Sequence, residues 1–67
     1  MAAFIAINPG QFVNADYIKE VYARPKSATK LETVVTVIGS EDWTIEGDKV
    51  SEIMQKIRIA QARKGAG

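Results

Sequence analysis

The sequence predicts an α+β domain: a small antiparallel sheet of four to five short strands followed by one C-terminal α-helix. Three observations carry this. Leu31-Glu32-Thr33-Val34-Val35-Thr36-Val37-Ile38 is the densest run of β-branched residues in the chain, a composition suited to a pleated, packed strand. Asn8-Pro9-Gly10-Gln11 separates two short apolar stretches with the residues of a tight turn. Val50, Ile53, Met54, Ile57 and Ala60 recur at helical spacing after Gly47-Asp48.

Ala3-Phe4-Ile5-Ala6-Ile7-Asn8 reads as a first strand. Pro9 presets φ at the second position of a turn, and Gly10 supplies the positive φ that a type II turn needs at its third. Gln11 to Asn14 returns as a second strand, with Phe12 and Val13 on opposite faces. Asn14-Ala15-Asp16-Tyr17 is a corner, because Asn and Asp side chains bond back onto nearby amides and compete with ladder pairing. From Tyr17 to Arg24 the pattern is extended again. Strict alternation places Ile18 with Tyr22, and Lys19 with Val21 and Ala23. The three-residue spacing of Ile18 and Val21 admits a bulge or a helical turn near Lys19-Glu20, and a short helix over 15–23 is the competing reading. Pro25 to Lys30 is the longest polar connection; Pro25 biases Arg24 away from helix and cannot donate to a ladder.

One face of the central strand reads Leu31, Thr33, Val35, Val37; the other reads Glu32, Val34, Thr36, Ile38. Aliphatics on both sides predict a strand covered on both faces. The helix covers one. A second copy of the chain, or the first hairpin folded over, covers the other. Gly39 to Asp42 forms the next turn, and Trp43 to Glu46 the last strand, with Trp43 and Ile45 toward the helix. Asp48 is a good N-cap. Glu52 and Lys56 are spaced for an i,i+4 pair, and Arg58, Arg63 and Lys64 complement the dipole at the helix end. The domain spans residues 1–64, with 65–67 a frayed tail. The expected core is Phe4, Ile7, Ile18, Val35, Val37, Trp43, Ile45, Ile53, Met54 and Ile57.

Sixty-seven residues make one domain, and a chain this short buries only about 60% of its unfolded surface. Small scaffolds usually need a disulfide, a metal or oligomerisation. The chain contains no Cys and no His, which removes disulfides, thiolate sites and the commonest metal ligand and general base. Self-association is what remains. A net charge of +1, from nine basic and eight acidic residues, is no electrostatic case for nucleic acid or an anionic membrane. No apolar run approaches the roughly 20 residues that span a bilayer, and residues 1–8 do not read as a signal peptide. The absence of Cys fits a reducing cytoplasm.

The order of elements resembles that of the small flagellar proteins of the FlbD type, also called SwrD. The matching pieces are Phe12-Val13-Asn14-Ala15-Asp16-Tyr17-Ile18-Lys19-Glu20-Val21, then Thr33-Val34-Val35-Thr36-Val37, then Val50 through Ile57. They lie within residues 3–58. The Pro25–Lys30 connection is longer than that family's tight turn, and the turn before Trp43 is acidic where a Gly-Lys-Lys type is common. The resemblance implies a non-enzymatic accessory role and carries over no site residues.

Glu41, Asp42, Glu46 and Asp48 cluster around one turn and the helix start. They read either as a carboxylate site for a hard cation or as a solvated turn plus an N-cap. The spacing of a Ca²⁺ loop is absent, and no metal is assigned. Ser27, Ser40 and Ser51 have no base partner, and Gly10, Gly39 and Gly47 are isolated turn residues, so no phosphate loop is present. No catalytic residue and no cofactor site is assigned. Trp43 reads as a core anchor more readily than as a stacking platform.

The functional expectation is a small non-catalytic interaction or accessory protein, partnered with itself and with another protein. Val34, Ile38 and Ile59 are the candidate self-association residues. The alternative is a nucleic-acid-binding module using Arg24, Lys26, Lys30, Arg58, Arg63 and Lys64, if the two basic groups meet in space. A third reading is an enzyme subunit whose chemistry lies in a partner.

Overall fold

The computed structural model describes residues 3–66, with side-chain surroundings for 3–63. The elements follow the predicted order: β1 (Phe4–Asn8), β2 (Gln11–Asn14), a 3-10 turn (Ala15–Tyr17), β3 (Ile18–Pro25), β4 (Leu31–Val37), β5 (Trp43–Glu46) and α1 (Val50–Ala66). The fold is α+β and all pairing is antiparallel. The strands divide into two sheets, β1–β2 and β3–β4–β5, where one sheet was expected. The division falls at the Asn14 corner. Its side chain accepts the Asp16 N–H at 2.9 Å and caps the 3-10 turn, so the chain leaves the first ladder there. The helical reading of 15–23 holds only for the 3-10 turn at Ala15–Tyr17; the chain is extended from Ile18.

The turns follow local chemistry. Gly10 has φ 76° behind Pro9, as the β1–β2 turn requires. The polar connection after β3 is tighter than its length suggests. Pro25 pairs with Leu31, and the Lys26 and Ser27 amides both donate to the Lys30 carbonyl, at 2.9 and 3.2 Å.

A bulge decides the faces of β3. Ile18 pairs with Val37 and Glu20 with Thr36, which leaves Lys19 without a partner in the register. The extra residue shifts alternation by one. Ile18 therefore joins Val21 against the core, and Tyr22 turns to the opposite face, contrary to strict alternation.

The core is Ile5, Ile7, Val13, Ala15, Val35, Val37, Ile53 and Ile57, with Ile18, Val21, Trp43, Ile45 and Ala60 packed at its margin. Two expected members lie outside it. Phe4 is 61% exposed, because Ile5 and Ile7 take the inward positions of β1 and Phe4 takes the alternate one. Met54 is a partly exposed residue at 37%, because the helix stripe centres on Ile53, Ile57 and Ala60.

The hairpin and the helix share one core, on the Val35–Val37 side of β4. The other face of the three-stranded sheet carries Glu20, Tyr22, Arg24, Glu32, Val34, Thr36, Thr44 and Glu46. It is thus a largely polar face, where an apolar one covered by a second copy or by the first hairpin was expected. Val34 sits between Tyr22 and Thr44 in the register and has no exposed surface. Thr36 Oγ1 on this face is buried without a hydrogen-bond partner.

Two groups hold the helix start. Asp48 Oδ1 accepts the Val50 N–H at 3.3 Å, the predicted cap contact. Thr33, fully buried in β4, accepts the Lys49 N–H at 2.7 Å and donates to the Gly47 carbonyl at 2.7 Å. A helix's first amides lack intrahelical partners, and here a strand side chain supplies one. The helix continues through Ala66. Gly67 lies outside the described residues.

Candidate functional site

The register of the first hairpin pairs Ile5 with Val13 and Ala6 with Phe12. Ile5, Ile7 and Val13 face the core, so Phe4, Ala6 and Phe12 share the outer face. Phe12 stands diagonal to Phe4, whose direct partner is Asn14, a spacing that aromatic side chains bridge. Phe12 is 62% exposed. Two large aromatic side chains thus stand on one small wet surface.

The helix extends this surface. A shallow groove of about 210 Å³ runs between β1 and α1, lined by Phe4, Ala6, Lys56, Ile59, Ala60 and Arg63. Ile59 is 46% exposed within it. Lys56 was expected to pair with Glu52; instead its Nζ donates to the Ala6 carbonyl at 3.1 Å. Ala15 N–H donates to Ala3 O at 2.7 Å, so Ala3–Ala15 is a hydrogen-bonded pair. By antiparallel alternation the Ala6 carbonyl then points to the free edge of β1. Lys56 caps that edge, and a charge on an edge strand opposes uncontrolled strand pairing.

A larger polar cleft of about 510 Å³ lies at the hairpin tip, lined by Asn8, Gln11, Glu41, Asp42, Trp43 and neighbouring residues. Asn8 Nδ2 donates to Gln11 Oε1 at 2.9 Å across the tip. Trp43 is half-buried, packed against the core and lining the cleft.

Of the self-association candidates, Val34 is corrected outright, since a fully buried side chain offers nothing to a partner. Ile38 is 58% exposed beside Tyr17, whose carbonyl accepts the Ile38 N–H at 2.8 Å. Ile59 is exposed but belongs with Phe4, not with the outer face of β4.

The two basic groups do not meet. Arg24 and Lys26 lie on the β3–β4 arm, where Arg24 pairs with Glu32 at 2.7 Å and Lys26 with Glu46 at 3.2 Å. The hydrogen bond and charge of Glu32 raise the Arg24 pKa above its already high value. Lys30 is exposed at the arm's turn. The helix starts beside Thr33 near this arm and runs away along β3 to the 3-10 turn and β1. Arg63 is thirteen residues beyond Val50, about 20 Å at the usual rise, with Arg58 partway along. The Lys64 side chain lies outside the described residues.

Glu46 is engaged with Lys26, and Asp48 with the helix start. Among the described residues no three acids stand close enough to hold a metal ion. Among the same residues, no helix is long and apolar enough to cross a membrane.

Sequence reasoning missed the outer hairpin face because it assigned Phe4 to the core on hydrophobicity. The available signal was the β-branched trio Ile5, Ile7 and Val13, which claims the inward positions of both strands. No protein-family model, curated protein or solved structure matches the chain.

Proposed function

We propose that this chain is a small non-catalytic interaction protein that binds a second copy of itself through the outer face of the β1–β2 hairpin. One observation carries the reading. Phe4 and Phe12 are 61% and 62% exposed on one face, and Ile59 continues it at the helix. Aromatic side chains bury 150–250 Å² each when covered, and a contiguous apolar patch on a small domain marks an interaction site. A 67-residue chain without disulfides gains from such burial, and closed dimers are the commonest way to obtain it.

A non-catalytic role is supported by the absence of His and Cys. The resemblance to FlbD-type proteins points to the same kind of accessory role, and the cysteine-free composition suits the cytoplasm. Light scattering coupled to size-exclusion chromatography at micromolar concentration tests the reading. The expected mass is twice the chain mass of 7.3 kDa. Phe12→Glu should bring it to that of one chain while the circular dichroism spectrum stays folded. A wild-type protein with the mass of one chain at every concentration overturns the reading.

A further inference from the structure

Strand β3 has a bonded side and an open side. Among the described residues it pairs with β4 alone and ends the three-stranded sheet. The Gly47 N–H donates to the Leu31 carbonyl at 2.8 Å, and the register of Glu32 with Glu46 sets these two residues directly opposite. Leu31 thus turns its backbone groups toward β5. By antiparallel alternation Glu32, Val34 and Thr36 turn theirs toward β3. Their partners Arg24, Tyr22 and Glu20 are therefore the bonded residues of β3. The Lys26 N–H, donated to the Lys30 carbonyl at 2.9 Å, keeps the same phase. Val21 and Ala23 are left with N–H and C=O directed to the open side. Ala23 is exposed and Val21 half-buried.

This open edge is bracketed. The bulged Lys19 stands at one end, and Pro25, which has no N–H, at the other. Between them runs the regular segment Glu20–Arg24, with Tyr22 at its midpoint. We propose that this edge pairs antiparallel with β3 of a second copy, about a two-fold axis at Tyr22. Val21 of each copy then lies opposite Ala23 of the other, and each such pair exchanges both N–H···O bonds. Tyr22 meets Tyr22 in the closely spaced pair between them, where side chains interact directly. Glu20 meets Arg24, whose Nε is held by Glu32 and whose guanidinium carries further donors. Moving the axis by one residue puts either Lys19 or Pro25 in a bonded position, so the bracket selects Tyr22. The contact is strand addition to a sheet edge, and a two-fold axis makes it self-complementary. It is separate from the Phe4–Phe12 face and does not rest on that contact.

The test uses Phe12→Glu, which leaves this contact alone to act. Sedimentation equilibrium should show one chain at low concentration and two at about millimolar concentration, because backbone hydrogen bonds exchange water for protein partners at little net gain. Adding Ala23→Pro removes an N–H that β4 does not use. It should weaken the pairing by at least about tenfold, since two of the bonds are lost, with circular dichroism confirming the fold. The chain has no Cys, so a single introduced thiol reports the register. Tyr22→Cys should oxidise to a covalent dimer, because the paired Cα atoms lie about 4.5 Å apart. Glu20→Cys should not, because its copies stand about 13 Å apart along the strands. Phe12→Glu that stays one chain at millimolar concentration overturns the proposal. So does pairing that Ala23→Pro leaves intact, or equal crosslinking at 20 and 22. A Phe12→Glu dimer already formed at micromolar concentration and lost on Ala23→Pro supports this edge and overturns the hairpin face as the main contact.

Discussion

The hydroxyl of Thr33 receives the backbone N–H of Lys49 at 2.7 Å, and this contact fastens the central strand to the start of the helix. The same hydroxyl donates to the Gly47 carbonyl, so one buried side chain satisfies two backbone groups of the connection. Thr33 has no exposed surface, and water cannot take over its role there.

Thr33→Val keeps the shape of the side chain and removes both hydrogen bonds. An unsatisfied buried polar group costs about 1–3 kcal/mol, and loss of a helix cap falls in the same range. Urea denaturation should show a loss of about 2 kcal/mol for Thr33→Val. Thr33→Ser, which retains the hydroxyl, should lose clearly less. Equal losses would show that the methyl group, not the hydroxyl, matters.

Thr36 makes the opposite case three residues along the same strand. Its Oγ1 is buried with no partner. Replacing such a hydroxyl by a methyl of the same shape removes a desolvation cost and suits a strand. Thr36→Val should raise stability by about 1 kcal/mol on the same scale. A destabilised variant would show that the hydroxyl is satisfied in solution.

Ile53 and Met54 are neighbours in sequence with different surroundings. Ile53 is 2% exposed in the core, whereas Met54 stands partly in solvent. Ile53→Ala should cost about 2–5 kcal/mol through lost burial and the cavity left behind. That is a large share of the stability of so small a domain. Met54→Ala should cost less than about 1 kcal/mol, as surface changes do. Thermal melts of the two variants that coincide would contradict the orientation of α1.

Nucleic-acid binding should be weak. The arm's Arg24 and Lys26 already pair with Glu32 and Glu46, and Arg63 stands about 20 Å along the helix from its start near that arm. Phosphate contacts add up only where several cations face one backbone. Fluorescence anisotropy with single- and double-stranded DNA and RNA should show no submicromolar binding at physiological salt. Tight binding there would revive the basic-surface reading.

The amino-acid sequence by itself determined the order of the elements, because the signals are local. Pro9-Gly10 and Gly47-Asp48 turn the chain through backbone preferences of their own. The β-branched run at 31–37 and the apolar stripe from Val50 follow from side-chain periods of two and of three to four. Tertiary structure decided which side of each element faced inward. Hydrophobicity places Phe4 and Ile5 equally out of water, and only the pairing of Ile5 with Val13 over a shared core leaves Phe4 outside. It also decided the bulge at Lys19, the burial of Val34 within a polar face, and the partners of Thr33 and Lys56. Those partners stand 16 and 50 residues away in sequence. A hydroxyl or an ammonium can bond to any nearby backbone group, and only the folded chain determines which group comes near.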